Sequence, residues 1–132
     1  MTITERLIAA DKNRVKRQEK RIRSKKLSDL LGEDTYITIR ELTGRKINDL
    51  NQMLTDKKGN VDISKAFDAN LMYCVEGIIE PSMRDKDLMQ AFGAATPKDL
   101  AERLFDVEAN TIAGEIIELS GMKEDTEEEV KN

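Results

Sequence analysis

The sequence predicts a mainly α-helical domain with one small β-hairpin, an α+β fold. Most apolar residues recur every three or four positions, which places them along one face of a helix. Residues 36–40 are instead a run of β-branched and aromatic residues and form the strongest strand candidate. With 132 residues, the chain has room for one small hydrophobic core and not for two.

The N-terminal segment, residues 1–26, is predicted to form a basic helix or arm. Its apolar residues are sparse and lie between charged side chains that favour helices. Ile8, Val15 and Ile22 recur every seven residues, but the positions three further on are polar, so this stripe is too thin to hold a helix pair. Repulsion between like charges opposes the helix in isolation, and an acidic surface would relieve that repulsion.

The strand predicted at residues 36–40 needs a partner, because a lone strand leaves its backbone groups without hydrogen bonds. Residues 32–34 carry a turn signal just before it. We therefore expect residues 23–27 to form the other strand of a hairpin, or a second chain to supply the edge.

Helical periodicity begins after this strand. Thr43 is placed to cap a first helix, which ends before a turn at residues 56–60. Asp62 is placed to cap the longest amphipathic stretch, the central core helix. Its apolar positions continue to Ile78, and Pro81 stops it.

Three shorter helices are expected in the second half. Ser82 and Asp85 resemble a capping box that opens the first of them, and Gly93 ends it. Thr96, followed by proline, opens the second, and Gly121 ends the third.

These elements predict a folded body at residues 27–122, preceded by the basic segment at residues 1–26. The acidic residues 123–132 have little apolar content and are predicted to be a disordered tail. The predicted core comprises Ile47, Leu50, Phe67, Leu71, Cys74, Ile78, Leu88, Phe92, Leu104, Ile112 and Ile116.

Composition argues against catalysis. There is no histidine, which removes the commonest general base and the commonest metal ligand. A single cysteine, Cys74, allows no internal disulfide and no cysteine zinc site, and its place in the apolar stripe predicts a buried side chain. The paired carboxylates lie in polar surroundings and the seven glycines are scattered, so no acid–base pair or phosphate loop is expected. We predict a non-enzyme with no catalytic residues, no metal site and no cofactor.

Charge is distributed unevenly along the chain. The net charge is -4. Residues 5–26 contain ten basic and three acidic residues, a local excess of +7, whereas the remainder carries -11. The residues that we expect to bind a partner lie in this basic strip: Arg14, Lys16, Arg17, Lys20, Arg21 and Arg23.

Three interpretations of the basic strip are open. It is a solvated face, a docking strip for an acidic protein, or an arm that binds nucleic acid. Nucleic acid is disfavoured, because the strip has no aromatic residue for base stacking and the acidic remainder would repel phosphates.

The order of short motifs along the chain resembles that of XkdN-like phage tail assembly chaperones. The first two motifs look like that family's basic strand, turn and strand, and the others follow its pattern in the second half. They are RIRSKKLSDLLGED (21–34), YITIRELT (36–43), GIIEP (77–81), DKDL (85–88), FGAATPKDL (92–100) and IIELSG (116–121).

The resemblance covers residues 21–122, with one departure. Family members often carry a glycine-acid-isoleucine turn before the last helix, where this chain has FDVEANTI at 105–112. Most of the shared motifs are caps, turns and core positions, so they indicate a fold more than a binding surface.

The resemblance implies a non-enzymatic chaperone of tail morphogenesis. Such a protein coats the tape measure protein, presents it to tail tube subunits and is absent from the mature virion. It is expected to self-associate and to act in the cytoplasm of an infected or prophage-carrying bacterium. The sequence itself has no long apolar stretch or signal sequence, which predicts a soluble protein with no membrane partner.

Two rival functions remain at this point, a small nucleic-acid-binding regulator that uses the basic arm and a structural component of the tail. Family members are often also made as a longer form by programmed ribosomal frameshifting near the end of the shorter one. Val130-Lys131-Asn132 can be encoded by GTA AAA AAC, which contains a slippery adenine run, although an ordinary charged tail explains the same residues.

Overall fold

The computed structural model describes residues 1–14 and 16–121, and within them it has seven α-helices and one three-stranded sheet. The α+β prediction is therefore confirmed. The predicted disorder of residues 123–132 falls outside the described residues. The helices are α1 (Ile3–Ala9), α2 (Lys25–Leu31), α3 (Gly44–Asn51), α4 (Ala66–Gly77), α5 (Lys86–Ala91), α6 (Pro97–Phe105) and α7 (Glu108–Leu119). The strands are β1 (Glu19–Arg23), β2 (Tyr36–Arg40) and β3 (Ile78–Glu80), and 3-10 turns cover Lys12–Arg14, Gln52–Leu54 and Ile63–Lys65.

The sheet is antiparallel, with β2 between β1 and β3. Arg23 pairs with Tyr36 at one end of the β1–β2 hairpin, and Glu19 pairs with Arg40 at the other. Ile37 and Ile39 of β2 are fully buried against the helices, because alternate strand residues face the same side. The strand predicted at residues 36–40 is confirmed as β2.

Of the two forms predicted for the N-terminal segment, a basic helix or an arm, the structure does not show one continuous helix. α1 ends at Ala9, and residues 19–23 pair with β2 as an edge strand. This pairing joins them to the sheet of the body, while the domain division after residue 26 stays a prediction.

The hairpin partner predicted at residues 23–27 is wrong beyond Arg23, since α2 begins at Lys25. Ser24 caps this helix: its hydroxyl accepts a hydrogen bond from Leu27 N at 3.1 Å. Gly32, with φ +76°, ends the helix after two turns.

The central helix is shorter than predicted. Asp62 caps a 3-10 turn, α4 then runs from Ala66 to Gly77, and Ile78 already belongs to β3. The short strand was missed because its apolar residues continue the helical spacing of α4. The helix therefore ends before Pro81.

The caps of the later helices lie close to their predicted positions. Asp85, and not Ser82, caps α5, with Leu88 N donating to the Asp85 carboxylate at 3.0 Å. Thr96 caps α6 as predicted, and its hydroxyl accepts from Asp99 N at 3.0 Å. Gly93 adopts a left-handed conformation after α5, as predicted for the end of that helix.

The core lies where α4 meets α7, α6 and the sheet. Eight of the eleven predicted core residues are buried, but Phe67, Leu88 and Phe92 are only half-buried at its margin. Cys74 is fully buried as predicted, and burial raises the pKa of its thiol to about 12. The core residues that were not predicted include Ile37, Ile39, Met83, Leu100 and Phe105, which are all fully buried.

Candidate functional site

An apolar groove opens on the surface between α2, α5 and α6. It has a cavity volume of about 160 Å³, and every side chain lining it is apolar. Leu30 and Leu31 of α2 form one wall and are 59% and 60% exposed. The lining residues are Leu27, Leu30, Leu31, Pro81, Leu88, Phe92 and Leu104.

The three leucines of α2 share one face of the helix but differ in exposure along it. Leu27 points into the core and is 7% exposed, while Leu30 and Leu31, one turn further on, reach the rim of the body. The half-buried Leu88 and Phe92 belong to the opposite wall. A groove with two leucines open to water favours binding of another apolar surface.

Glu108 holds the other end of α2 in place. Its carboxylate accepts hydrogen bonds from the Ser24 hydroxyl at 2.7 Å, from Lys25 N at 2.6 Å and from Lys26 N at 3.3 Å. Because the first backbone N–H groups of a helix lack partners within the helix, a carboxylate there is stabilising. α2 is thus fixed to the start of α7 at its N-terminus, and its C-terminal half forms the wall of the groove.

A second apolar surface lies on α1, none of whose residues is buried. Ile3, Leu7 and Ile8 are 73%, 63% and 72% exposed. Both ends of the helix are satisfied locally: Thr2 and Glu5 form a capping box, and Lys12 Nζ donates to three carbonyls at the C-terminus. α1 is therefore a capped helix with an uncovered apolar face.

The basic strip does not form one continuous free surface. Lys20 Nζ pairs with Glu115 at 2.9 Å, and this hydrogen bond is the main reason why the pKa of Lys20 is raised. Arg23 pairs with Asp34 at 3.0 Å. The Arg21 guanidinium lies 5.2 Å from the centre of the Tyr36 ring.

Two predicted partner-binding residues stay available on the strip. Lys16 and Arg17 are exposed and make no ion pair within the described part of the chain. The side chain of Arg14 lies outside the described residues. Arg21 of β1 is also exposed and makes no ion pair among the described residues. Partner binding by the strip stays a prediction.

The described residues offer no sign of other chemistry. Within them no three acidic or cysteine side chains gather in a way that could hold a metal ion. Their helices are also too short or too polar to cross a lipid bilayer.

Sequence reasoning identified the leucines of α2 but not the groove. The spacing of Leu27, Leu30 and Leu31 indicates a short amphipathic helix, but the helix was missed because residues 23–27 were assigned to a hairpin strand. The other lining residues lie fifty or more positions away in the sequence, so no local pattern could place them beside α2.

Comparison with known proteins agrees with the motif order and with this architecture. The family model described as "Phage XkdN-like tail assembly chaperone protein" matches residues 4–132. The chain belongs to this family. It is 31% identical over 120 residues to the phage-like element PBSX protein XkdN of Bacillus subtilis (strain 168), covering 83% of this chain and 80% of the relative.

A solved structure shares the fold of this chaperone family member. The crystal structure of the protein YqbN superposes with a TM-score of 0.56 at 17% identity, over 80% of this chain and 88% of that one. At this identity the likeness concerns the fold alone. The resemblance inferred from sequence motifs is thus confirmed at the level of the family.

Proposed function

We propose that this tail assembly chaperone binds and shields the tape measure protein by taking apolar helical stripes of it into the groove. The observation that carries the proposal is the groove itself, whose seven lining residues are all apolar and whose Leu30 and Leu31 are more than half exposed. A long helical protein with exposed apolar stripes aggregates unless these stripes are covered. Recognition of an amphipathic helix by a groove covers them reversibly.

A solubility assay tests this proposal. The tape measure protein from the same tail gene cluster is co-expressed with the wild-type chain, or with a groove variant that carries Leu30→Gln and Leu31→Gln. Because both leucines are exposed, the groove variant should fold normally, and circular dichroism verifies this. We expect the wild-type chain to keep the tape measure protein soluble and the groove variant to lose this effect.

A matched control is available at two exposed apolar side chains in another part of the fold. Val61 and Ile63 are 72% and 82% exposed and lie outside the groove. A control variant with Val61→Gln and Ile63→Gln should protect the tape measure protein as the wild-type chain does. Equal protection by the groove variant would refute the proposal.

The basic strip is proposed to assist by contacting an acidic partner. Lys16 and Arg17 are exposed and make no ion pair among the described residues, so Lys16→Glu with Arg17→Glu should weaken capture of the tape measure protein or of tail tube subunits. Salt separates the groove from the rival nucleic-acid function: a phosphate binder loses affinity by orders of magnitude between low and moderate salt, whereas the apolar contact in the groove is nearly indifferent and only the added contribution of the strip should weaken. If the double variant captures these partners as the wild-type chain does, the strip is a solvated face and does not bind a partner.

Recruitment of tail tube subunits is proposed to involve a longer, frameshifted form of this chain, made in the host cytoplasm. Mass spectrometry of infected or induced cells should detect peptides that continue from residues near 130 into the shifted frame. The gene sequence tests whether the ribosome slips at residues 130–132. If the codons for these residues contain no adenine run, slippage at this place is ruled out.

Purified virions should contain neither form, and finding the chain in them would favour a structural tail component. No step of this function requires catalysis.

A further inference from the structure

The outer edge of β1 is a strand edge that lacks a partner among the described residues. β1 lies at one side of the sheet, and β2 is the strand with which it pairs. We infer that this edge binds an extended acidic segment of a partner protein, which adds to the sheet as a further strand. The inference rests on the proposed binding of an acidic partner by the basic strip, and it states how that partner is held.

Two hydrogen bonds at the ends of the hairpin show which way the backbone of β1 faces. Glu41 N donates to the Gln18 carbonyl oxygen at 2.9 Å, and Ser24 N donates to that of Thr35 at 2.9 Å. The register between them is continuous, and in an antiparallel pair every second residue exchanges hydrogen bonds with the neighbouring strand. The even-numbered positions from Gln18 to Ser24 therefore bond to β2, and the odd-numbered positions face away from it.

The outward-facing residues of β1 are Glu19, Arg21 and Arg23. Each offers one backbone N–H and one C=O group, and none of these groups has a hydrogen-bond partner in the described ranges, 1–14 and 16–121. The opposite edge is less suitable, because β3 has only three residues and Pro81, which has no backbone N–H, follows it. An extended polypeptide pairs with a row of donors and acceptors, whereas phosphate groups offer acceptors only. The edge of β1 therefore favours a protein segment.

The charge of this edge selects an acidic segment. Residues 16–23 contain five basic side chains and one acidic side chain, a net charge of +4. Ile22 packs against the core, so its neighbours Arg21 and Arg23 project from the opposite, solvent-facing side of the sheet. Arg21 makes no ion pair among the described residues, and Arg23 pairs with the exposed Asp34. Acidic residues at every second position of an added strand would lie beside these arginines and pair with them.

The same charges disfavour a second copy of β1 as the occupant. Pairing of β1 with β1 of another copy would bring together two segments that each carry a net charge of +4. In a two-fold antiparallel pair centred on position 21, Arg21 would lie opposite Arg21, and like charges in this position are destabilising. Charged side chains on edge strands commonly prevent such pairing. The edge is thus protected against its own copies and open to a strand of opposite charge.

Amide hydrogen exchange with a model peptide tests the inference. The isotope-labelled full chain is titrated with a synthetic peptide in which glutamate alternates with valine. An added strand should slow exchange of the Glu19, Arg21 and Arg23 amides by about 10-fold or more at saturation, because these amides become hydrogen-bonded. The same peptide with N-methylated amides keeps its charge but loses its donors, and it should bind about 10-fold more weakly or worse. A peptide with lysine in place of glutamate should not bind.

Two substitutions at Arg21 separate its charge from its backbone group. Arg21→Gln removes the charge and keeps the N–H, whereas Arg21→Pro removes both. Proline is tolerated where the N–H of an edge strand faces solvent, and circular dichroism verifies the fold. Arg21→Pro should bind the peptide about 10-fold more weakly than Arg21→Gln does. If the proline variant does not fold, the N-methylated peptide makes the same comparison on the wild-type chain. Arg45→Gln, at an exposed arginine of α3 that makes no ion pair among the described residues, is the matched control and should bind as the wild-type chain does.

Failure of this inference is distinguishable from failure of the proposed function. Peptide binding without slower exchange at the three amides, or equal binding of the N-methylated peptide, would overturn strand addition and leave an acidic partner that is held by charge alone. Absence of peptide binding would also overturn the inference, whereas the solubility assay at Leu30 and Leu31 tests the groove independently. Amide protection that appears without peptide and increases with chain concentration would show that a second copy occupies the edge, which contradicts an acidic partner.

Discussion

The backbone of Gly77, at the end of α4, lies directly against the side chain of Ile116 in α7. A Cβ atom at position 77 would come within 2.5 Å of Ile116 Cδ1 and within 2.9 Å of two further atoms of that side chain. Ile116 is fully buried, so it has little room to move. This contact fixes the closest approach of the two longest helices.

Gly77→Ala should therefore destabilise the protein by about 1–3 kcal/mol, the usual cost of overpacking a core. Urea unfolding followed by circular dichroism measures this loss. Gly114→Ala is the matched control, because a Cβ at Gly114 on α7 meets no atom within 4 Å. Alanine favours a helix over glycine by roughly 1 kcal/mol, so the control should be more stable than the wild-type chain. Equal effects at both positions would contradict the close contact.

The turn before α7 contains a residue whose backbone suits glycine. Asp106 has φ +49° and ψ -124°, a region that side chains with a Cβ rarely adopt. This is the segment in which the chain departs from the glycine-containing turn that its family resemblance leads one to expect. Asp106→Gly should raise the free energy of unfolding by about 1 kcal/mol, and Asp106→Ala should not. A less stable glycine variant would show that the aspartate side chain supports the turn.

Glu108 is expected to stabilise α2 through its three hydrogen bonds. Glu108→Ala removes this hydrogen-bond partner of the Ser24 hydroxyl. Because Ser24 is only 1% exposed, the free energy of unfolding should fall by about 1.5–3 kcal/mol. Glu108→Gln keeps an acceptor oxygen and should cost less. Hydrogen exchange should locate the effect in α2, while Glu102→Ala at an exposed position of α6 should change stability by less than about 0.5 kcal/mol. Uniform exchange changes would argue against a local anchor.

Leu71 and Phe67 share the apolar stripe of α4, yet they should respond differently to truncation. Leu71 is fully buried, and Leu71→Ala should cost about 2–5 kcal/mol. Phe67 only packs against the edge of the core, so Phe67→Ala should cost less than Leu71→Ala despite removing a larger side chain. Thermal unfolding midpoints of the two variants check this order. A midpoint unchanged by Leu71→Ala would mean that this face of α4 is not in the core.

The elements that the sequence predicted well are those whose signals are local. Thr96 caps α6 through its hydroxyl, and Pro97 favours the first helical residue through its fixed φ. Both residues lie within four positions of the backbone groups that they affect. The run of β-branched and aromatic residues in Tyr36–Arg40 likewise predicted β2 with its bounds. Family membership could be recognised for the same reason, since most of the motifs that carry it are caps and turns.

The features that were missed depend on distant partners. Ile78–Glu80 has the spacing of a helix, and only its pairing with β2, some forty residues away, makes it a strand. The groove exists because Pro81 and Leu104 lie near α2 in the folded chain while Leu30 stays exposed. Tertiary packing decides whether an apolar residue is buried in the core or stays exposed to a partner. The periodicity of the sequence carries no information about this packing.

Site-specific photo-crosslinking tests the central claim, that the groove of this chaperone receives the tape measure protein. A photoreactive phenylalanine analogue at position 31, in the wall of the groove, should crosslink to the tape measure protein when both are co-expressed. The same analogue at position 63, which is more open to solvent than position 31 but lies outside the groove, should give little product. Mass spectrometry of the product should identify apolar positions of the tape measure protein at helical spacing. Equal yields at the two positions, or no product at position 31, would contradict the claim.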